Sequence, residues 1–397
     1  MSVSFKRRLK RMLIAFIDAL LCLAFPWRCL RRRPSALRAT RRILVCRTDH
    51  IGDAFLSLPA LARIRAHYPE AHLTVLVASW AAPLLRAAGG HDELLICDPP
   101  WWVAKRNSRF GKSETEGGWF ALWQTIRRLR ARRFDLCVVL RGDVREIVAF
   151  GVFGGARFLL TRQRNGGAAL ADLAPAIDDA LHECDQNLML VGALGLAAFP
   201  ATFPTPYTAA DAARAEEWLS KRQNRPASRT VILHPGAKWV NRWPAEAYAE
   251  LIRGLATQQG DVRILLTGSA SEAALCERLA AELPGRTQSL AGKLSLTDTA
   301  ALMAAVNLVV MADTGPMHFL NAVKTPALLL FGPTAASRFA PRGPHITVVS
   351  AGECCNAALH ETCSRAAPGA PSACMAQLAP ATVLRLACDK LGLPAPA

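Results

Sequence analysis

The part of the chain best suited to chemistry is a short polar sequence between two apolar runs. Val306 to Ala312 is typical of a buried strand and leads directly into Asp313-Thr314-Gly315-Pro316-Met317-His318. A helical stretch follows, and then a second apolar run that ends in Gly332-Pro333-Thr334. This is the pattern of a βαβ unit, whose chemistry lies at the carboxyl ends of its strands.

The residues at this junction suit an anion. Thr314 is a candidate helix cap, Pro316 fits the first turn, and Gly315 lets a ligand approach the backbone closely. The first amides of a helix are unpaired and point outward, so we expect this end to attract a phosphate group. The alternative is a capped helix that binds no ligand.

Asp53 ends another polar loop, Arg47 to Asp53, behind a predicted strand of the first α/β block. A carboxylate here is a candidate general base for a bound hydroxyl, provided that a cleft shields it and raises its pKa. The alternative is that Asp53 only offsets the dipole of the following helix. The residue pattern alone favours this second role, and His50 is more typical of an ordinary loop residue than of a catalyst.

Two loops of the second block carry groups expected at a nucleotide. The loop from His234 to Pro244 brings Lys238 and Arg242 to a helix start, where a cation neutralises a phosphate leaving group. A solvated loop with a tryptophan packing anchor is the alternative. The loop from Thr267 to Glu272 has short side chains, and Glu272 suits ribose hydroxyls, although a first-turn glutamate is common.

Several known signatures are absent from the sequence. It has no P-loop and no GxGxxG fingerprint, which weakens kinase and dinucleotide-binding functions. It also has no GxSxG nucleophile elbow and no pair of carboxylates of the DxD kind for a divalent ion. We therefore expect metal-free chemistry.

The charge of the chain is concentrated at one end. The 397 residues are 51% hydrophobic, which indicates a large core and room for two domains, and the net charge is +17. Residues 1–42 contain twelve Lys or Arg and one acid, Asp18, so the remainder carries only +6. This distribution argues against an extended nucleic-acid-binding face.

The N-terminal segment has the composition of a helix that lies in a membrane surface. Basic clusters at 6–11 and 28–33 flank Met12 to Phe25, fourteen residues that are apolar except for Asp18. About 20 residues are needed to cross a bilayer core, so this run is too short to span. One helical stripe carries apolar side chains that suit the interface, with the cations on anionic headgroups: Phe5, Leu9, Met12 and Phe16.

Two alternatives for this segment stay open. A signal peptide also has a basic start and a short apolar core, but no small-x-small cleavage site follows the run, and Phe25 to Arg28 is bulky and charged. The other alternative is a helix packed on the body of the protein itself.

The twelve cysteines form two groups. Eight are scattered, mostly in apolar contexts typical of reduced core thiols in a cytosolic protein: Cys22, Cys29, Cys46, Cys97, Cys137, Cys184, Cys276 and Cys388. The other four cluster towards the C-terminus: Cys354, Cys355, Cys363 and Cys374. Their spacing does not match a zinc ribbon, so a disulfide, a metal clip and plain thiols all remain open.

Alternating strands and helices divide the body into two blocks, separated by the proline-rich stretch 199–206. Such alternation predicts parallel sheets wrapped by helices, with a ligand cleft between the carboxyl ends of the two sheets. A long loop, 98–118, interrupts the first block and contains Lys105, Arg106, Arg109 and Lys112. The predicted domains are a membrane-surface segment 1–41, a first domain 42–205, a helix and connector 206–228, and a second domain 229–397.

Taken together, these motifs resemble glycosyltransferase family 9, the heptosyltransferases of the lipopolysaccharide core, over roughly Arg42 to Leu391. The order and spacing of the motifs carry the resemblance: Ile43-Leu44-Val45 with Arg47 and Ile51-Gly52-Asp53, Leu58-Pro59-Ala60-Leu61, His234-Pro235-Gly236, Arg242-Trp243-Pro244, Thr267-Gly268 with Glu272, residues 290–296, Asp313 to His318, and Phe331-Gly332-Pro333-Thr334. The resemblance implies an α/β GT-B fold with two Rossmann-like, doubly wound domains and an interdomain cleft, here preceded by a basic amphipathic helix.

The resemblance also implies an activity. It implies an inverting, metal-independent transfer of a heptose or related sugar from an ADP-sugar to a lipopolysaccharide-core or similar lipid-linked acceptor. No resident cofactor and no nucleic-acid partner are expected. The expected location is the cytoplasm, on the inner face of the cytoplasmic membrane, with residues 1–33 on its surface.

Site residues follow from the resemblance position by position. Asp53 matches the catalytic base, and Arg242 stands where the family often has Lys, with its charge at the leaving diphosphate. Donor binding is expected of Gly236, Lys238, Thr267, Gly268, Glu272, Leu294, Asp313, Thr314, Gly315 and His318. Acceptor binding is expected of Arg47, Thr48, Gly52, Lys105, Arg106 and Arg109.

Two other functions remain as alternatives at this stage. One is a nucleotide-sugar epimerase of similar GT-B architecture, which would act on the donor alone. The other is a non-enzymatic basic protein that binds membranes or nucleic acid. The sequence leaves the exact sugar, the acceptor and the oligomeric state open.

Overall fold

A computed structural model describes residues 3–29, 40–103, 118–198, 200–220, 229–258, 261–350 and 370–394. The chain divides into two compact units, Met1–Thr202 (unit 1) and Phe203–Ala397 (unit 2). Each unit contains one fully parallel sheet with helices between its strands, so the predicted α/β architecture of two Rossmann-like units is confirmed. The predicted basic loop residues Lys105, Arg106 and Arg109 lie outside the described residues.

Unit 1 is built on a five-stranded sheet. Its strands are β1 (Arg42–Arg47), β2 (His72–Val77), β3 (Glu93–Ile96), β4 (Leu136–Val139) and β5 (Phe158–Thr161). Their order in the sheet is β3-β2-β1-β4-β5. In β1 and β2 every residue after the first is buried, as apolar strands covered on both faces require. The strand order reverses between β1 and β4, and ligands bind at such switch points.

The helices of unit 1 differ from the prediction at the first polar loop. The sequence predicts a single helix from about Ala54 to His67, but two helices are present, and Asp53 lies in the first turn of the shorter one. The break follows from Ser57, whose hydroxyl donates to the Ala54 carbonyl. It also follows from Pro59, which lies in the first turn of the second helix, Leu58–His67. The described helices are Val3–Ala24, Pro26–Cys29, Ile51–Phe55, Leu58–His67, Ala82–Ala88, Trp119–Arg132, Val144–Glu146, the π-helix Ile147–Val152, the 3₁₀ turn Ala168–Leu170 and Glu183–Gly192.

Unit 2 is built on a six-stranded sheet, with strands β6 (Arg229–His234), β7 (Val262–Leu266), β8 (Thr287–Ser289), β9 (Leu308–Ala312), β10 (Ala327–Phe331) and β11 (Ile346–Ser350). Their order is β11-β10-β9-β6-β7-β8, and the switch point lies between β6 and β9. The described helices are Ala209–Ser220, Ala245–Thr257, Ala273–Ala280, Leu296–Ala304, Ala336–Phe339, Ala373–Ala376 and Pro380–Leu391, with 3₁₀ turns Trp239–Asn241, Ala270–Glu272 and Gly315–Asn321.

The structure corrects the helix prediction for the segment after β9. Gly315–Asn321 is a 3₁₀ helix, and the Thr314 side chain makes no cap hydrogen bond. Five consecutive residues, 317–321, are buried, so no solvent-facing stripe supports a longer α-helix. The expectation that the unpaired first amides of an α-helix attract a phosphate here therefore fails in that form.

The N-terminal helix packs against unit 1 on one side. Leu21 and Phe25 contact the apolar core that covers one face of the five-stranded sheet, and Asp18 accepts a hydrogen bond from the Gly167 amide. Arg28 forms an ion pair with Asp172 at 3.2 Å and donates to two carbonyl oxygens of the same region. The alternative of a helix packed on the body is thus correct for this face.

The opposite side of the N-terminal helix is apolar and exposed. Met12, Phe16, Leu23 and Trp27 each keep more than half of their side chains in solvent. In the part of the chain that the structure describes, no helix has the length and apolar character needed to cross a membrane.

The described cysteines are all free thiols. Six of the eight scattered ones are buried and confirm the prediction of reduced core thiols, whereas Cys22 and Cys29 are half-buried. Of the C-terminal cluster only Cys374 lies within the described residues, where it is buried beside the Ser372 hydroxyl. Cys354, Cys355 and Cys363 lie outside them.

Replacement of Arg28 tests how firmly the N-terminal segment is attached. Arg28→Ala leaves the Asp172 carboxylate buried without its cation, so the free energy of unfolding of unit 1 should fall by about 3 kcal/mol. Chemical denaturation measures this loss. Arg385→Ala is the control, because its exposed pair with Asp389 contributes less than about 1 kcal/mol. Equal stability of the two variants would contradict the proposed attachment.

Candidate functional site

The polar loop after β1 is organised by a buried arginine. Arg47, only 2% exposed, places its Nε 2.8 Å from Asp49 and its Nη2 3.2 Å from Asp53 and 3.1 Å from Glu183. Glu183 begins the helix Glu183–Gly192, so this one guanidinium joins the β1 loop to a distant part of unit 1. Arg47 alone therefore does not neutralise the three carboxylates around it.

A second arginine enters the cluster across the switch point. Arg141 follows β4 and donates to Asp49 at 2.6 Å. Burial alone would raise the pKa of Asp49, but Arg47 and Arg141 hold that pKa well below its usual value. Asp49 is therefore a permanent anion that links the loops behind the two central strands.

Asp53 is the carboxylate of this cluster that remains accessible. Its side chain is 20% exposed, whereas those of Asp49 and Glu183 are almost completely buried. Burial and the neighbouring charge of Asp49 raise the pKa of Asp53 to about 6, against the opposing effect of Arg47. A carboxylate with such a pKa is ionised at neutral pH and still basic enough to accept a proton.

Two acids that the sequence analysis did not select complete the cluster. Glu146 is fully buried and accepts hydrogen bonds from Thr48 at 2.7 Å and Trp102 at 3.2 Å, and burial raises its pKa to about 7. Burial also acts to raise the pKa of Glu183, but Arg47 and Arg162 lower it to about 2. Glu146 follows β4 closely, so its position behind a predicted strand was a usable signal.

The expected acceptor residues of this loop are buried. Thr48 is engaged with Glu146, Gly52 lies inside the short helix, and the described contacts of Arg47 are all within unit 1. Their role towards an acceptor stays a prediction.

Unit 2 gathers the predicted donor residues at the carboxyl edge of its sheet. The His234 ring lies 2.9 Å from the Thr267 hydroxyl, which joins the ends of β6 and β7. Glu272 lies over both loops: a Cβ built on Gly236 would be 2.3 Å from its carboxylate, and one on Gly268 would be 3.0 Å away. Both glycines are therefore needed for this close packing.

The glutamate is held by its own turn. Glu272 accepts hydrogen bonds from the Ser269 amide at 2.7 Å and from the Ser269 hydroxyl at 2.8 Å. The Ser269 side chain in turn accepts from the Glu272 amide, which completes a capping box. Its carboxylate is thus fixed at the edge of the sheet before any ligand arrives.

A second polar group lies across the switch point. Asn241 donates to Asp313 at 3.0 Å and accepts from Thr334 at 3.2 Å, so one side chain joins the loops behind β6, β9 and β10. Burial raises the pKa of Asp313, while Thr334 and the nearby exposed Lys238 oppose that effect. Thr314 and Gly315 follow Asp313 and remain partly exposed, whereas His318 is buried.

Arg242 stands beside this edge with hydrogen-bonding capacity to spare. One of its Nη atoms donates to the Ala237 carbonyl at 3.2 Å. Its Nε is buried and makes no hydrogen bond to any described residue. Leu294 is only partly buried, and the structure gives it no distinguishing contact.

The raised pKa of Asp53 predicts a stability effect that needs no substrate. An aspartate in the unfolded chain titrates near pH 4, roughly two units below Asp53 in the folded protein. The unfolded state therefore loses its proton first as the pH rises, and folding loses stability between about pH 4 and pH 6. Asp53→Asn removes this penalty and should stabilise unit 1 by about 2 kcal/mol more at pH 7.5 than at pH 4.

The measurement is chemical denaturation at both pH values. Glu93→Gln is the control with the opposite sign, since Arg132 lowers the pKa of Glu93 and its charge stabilises the fold at neutral pH. A variant Asp53→Asn that loses stability at pH 7.5 relative to pH 4 would contradict the assigned pKa.

Known proteins are similar to this chain in sequence and in fold. Lipooligosaccharide heptosyltransferase 2 of Haemophilus influenzae is 26% identical over 77% of this chain and 88% of its own length. Lipopolysaccharide heptosyltransferase 1 of Pseudomonas aeruginosa is 29% identical over 74% of this chain and 79% of its own length.

A solved structure, that of Escherichia coli ADP-heptose lps heptosyltransferase II, aligns with a TM-score of 0.68. It is 20% identical, and the alignment covers 88% of this chain and 97% of that one. At this identity the likeness shows the fold, which confirms the GT-B class. Residues 122–367, more than half of the chain, match glycosyltransferase family 9 (heptosyltransferase), and the chain therefore belongs to that family of glycosyltransferases.

Proposed function

We propose that the chain transfers a heptose, or a related sugar, from an ADP-sugar to an acceptor of the lipopolysaccharide core or a similar lipid-linked glycan. The names of its relatives support the sugar and the acceptor class, and the name of the aligned Escherichia coli enzyme supports an ADP-linked donor. Relatives numbered 1 and 2 match with similar identity, so the proposal names no single acceptor.

The observation that carries the proposal is the position of Asp53, an accessible carboxylate behind the central strand β1 that lies 3.2 Å from the buried Arg47 guanidinium. A carboxylate that is accessible, held in place by Arg47 and raised to a pKa of about 6 has the properties of a general base at neutral pH. In the proposed step, Asp53 accepts the proton of an acceptor hydroxyl while that oxygen attacks the anomeric carbon. The bond from the anomeric carbon to the diphosphate oxygen breaks, and its electron pair leaves with ADP. A single displacement inverts the anomeric centre.

Positioning of the base is the role assigned to the arginines around it. Arg47 fixes one Asp53 oxygen at 3.2 Å, and Asp49 in turn fixes Arg47 and Arg141. We assign Glu146 and Glu183 to the same supporting network, because both are buried and bonded to residues of these loops. The proposed acceptor contacts of Arg47, Thr48 and Gly52 would then be indirect, through the shape of the loop.

The proposed donor site is the edge of the second sheet. Glu272 would accept hydrogen bonds from ribose hydroxyls, with Gly236, Thr267 and Gly268 forming the close-packed floor beneath it. Leu294 is assigned to the same site on the family resemblance alone. Around the diphosphate the proposal places the following residues: Lys238, Arg242, Asp313, Thr314, Gly315 and His318.

Metal-free transfer is part of the proposal, because the chain has cations of its own for the leaving group. Lys238 is exposed beside Asp313, and Arg242 has an Nε with no hydrogen bond to the described residues. A fixed cation stabilises the charge that develops on the diphosphate in the transition state.

We further propose that the chain works at a membrane surface, where a lipid-linked acceptor resides. The N-terminal helix has the required exposed apolar side, and basic clusters border it in the sequence.

Substitution of Asp53 should separate catalysis from donor binding. Asp53→Ala should lower kcat by at least about a thousandfold, because the acceptor hydroxyl loses the carboxylate that accepts its proton, while the Kd for ADP stays within about twofold. In the wild-type enzyme, kcat/KM should fall on the acid side with an apparent pKa of about 6. Transfer assays across pH, with calorimetry for ADP, measure both quantities. Full activity of Asp53→Ala would remove this residue from its proposed role.

Substitution of Arg242 tests the stabilisation of the leaving group. Arg242→Ala should lower kcat about a hundredfold, which corresponds to about 3 kcal/mol of transition-state stabilisation. Arg242→Lys should recover part of the rate, since the charge is retained without the planar fork. Arg278→Ala removes another arginine of unit 2 and should leave the rate unchanged. An excess of EDTA should have no effect on the wild-type enzyme, and its complete inhibition would contradict metal-free transfer.

A further inference from the structure

The helix Trp119–Arg132 carries three exposed aromatic side chains on one side. Trp119 is 74% exposed, Phe120 69% and Trp123 50%, although side chains of this size are normally buried. Phe120 stacks on Trp123 with the ring centroids 5.9 Å apart, so the rings form one patch. Nothing in the proposed transfer chemistry uses them.

The rest of the helix is strongly basic. Four arginines, at positions 127, 128, 130 and 132, and no acid lie between Trp119 and Arg132. Arg132 is paired with Glu93, whereas Arg127, Arg128 and Arg130 are exposed. An Arg127 guanidinium 4.8 Å from the centre of the Trp123 ring joins the cationic part to the aromatic part. Protein surfaces that lie at the interface between a bilayer and water are rich in exposed tryptophan and in basic residues such as arginine.

This helix lies on the same side of unit 1 as the N-terminal helix. Leu122 and Leu129 of one, and Leu21 and Phe25 of the other, pack on a single apolar core that covers one face of the sheet. The π-helix Ile147–Val152 lies between them, because it contacts the helix Trp119–Arg132 and ends beside Phe153. Phe153 is exposed and packs edge-on against Phe25 with the centroids 5.6 Å apart.

The aromatic patch also borders the proposed acceptor loops. Trp119 packs edge-on against Trp101 at 6.4 Å, and the Arg145 guanidinium lies 5.4 Å from the centre of the Trp101 ring. The neighbouring Trp102 donates to Glu146 in the carboxylate cluster. A surface that holds this patch would therefore lie next to the residues that we assign to the acceptor.

We propose that the helix Trp119–Arg132 is a second membrane-binding element, which inserts Trp119, Phe120 and Trp123 into the interface of an anionic phospholipid bilayer. Its exposed arginines contact the headgroups. Phe153 and the N-terminal helix continue the same contact. This binding requires no sugar transfer, so its test is independent of the proposed activity.

Sedimentation of the full chain with vesicles tests the proposal. On vesicles of phosphatidylethanolamine and phosphatidylglycerol, the variant with Trp119→Ser, Phe120→Ser and Trp123→Ser should need at least about tenfold more lipid for half-maximal binding. Arg127→Gln combined with Arg128→Gln and Arg130→Gln should weaken binding to these vesicles by roughly tenfold or more. On vesicles of phosphatidylcholine alone, the arginine substitutions should have no effect.

The matched control removes exposed apolar side chains from elsewhere on unit 1. Leu181→Ser with Met189→Ser changes residues at the helix Glu183–Gly192, which packs against Leu58–His67, and should bind like wild type. All of the substituted residues are exposed, and circular dichroism verifies that each variant is folded. Wild-type vesicle binding by the aromatic variant would overturn the proposal. So would the conversion of an oligomer to a monomer with vesicle binding unchanged, which would assign the patch to a second copy of the chain.

Discussion

The structure of unit 1 depends on the interactions of one buried guanidinium. Arg47 binds Asp49, Asp53 and Glu183 at the end of a central strand, and its loss would leave each of these acids with less positive charge beside it. Arg47 alone does not neutralise three acids. Arg141 and Arg162 add positive charge, but they pair with Asp49 and Glu183 and leave Asp53 less well paired. The arginines lower the pKa of Asp49 and of Glu183 and keep both side chains ionised, whereas burial and the negative charge of Asp49 raise the pKa of Asp53. The property that makes a carboxylate a base is thus a consequence of how its neighbours are paired.

Unit 2 solves a different problem with the same topology. Its edge carries few charges in close contact, and short or missing side chains allow the loops to pack together. Glu272 fits against Gly236 and Gly268, and Asn241 spans three strand ends with two hydrogen bonds. Close packing of this kind restricts the loops, and preorganisation lowers the entropy lost when a ligand binds. The two sheets therefore contribute in different ways, one through electrostatics and the other through shape.

The strands near both switch points could be predicted from the sequence to within about one or two residues. Apolar runs such as Ile43 to Val45 and Leu308 to Ala312 are buried on both faces, and few other structures accommodate them. The loops behind these strands were found for the same reason, together with Asp53 and Asp313. The helices were less accurate where packing overrides local pattern: the buried residues 317–321 form a 3₁₀ helix, and Ser57 divides the expected helix in two.

The supporting acids were harder to predict from the sequence than Asp53, and only Glu146 had a signal, its position behind a predicted strand. Glu183 meets Arg47 across 136 positions of the chain, and nothing in its local sequence announces that contact. Glu146 gains its meaning from complete burial beside Thr48 and Trp102, which is a property of the fold. The assignment of Asp53 as a base came from the family resemblance, since the residues around it favoured a simple dipole effect. Its raised pKa gives that assignment a physical cause.

The attachment of the N-terminal helix has a consequence for how the protein meets a surface. Arg28, Asp18 and Phe25 hold the N-terminal segment against the rest of unit 1. In the proposed membrane-bound state, this segment is therefore fixed to unit 1 and is not a flexible linker to it. The tilt of unit 1 against the plane of the lipid is then dictated by its own helices, and only rotation about the membrane normal and lateral drift stay free. In the membrane-bound state that we propose, the carboxylate loop would stay at a constant height above the lipid, and its search for a substrate would be reduced from three dimensions to two.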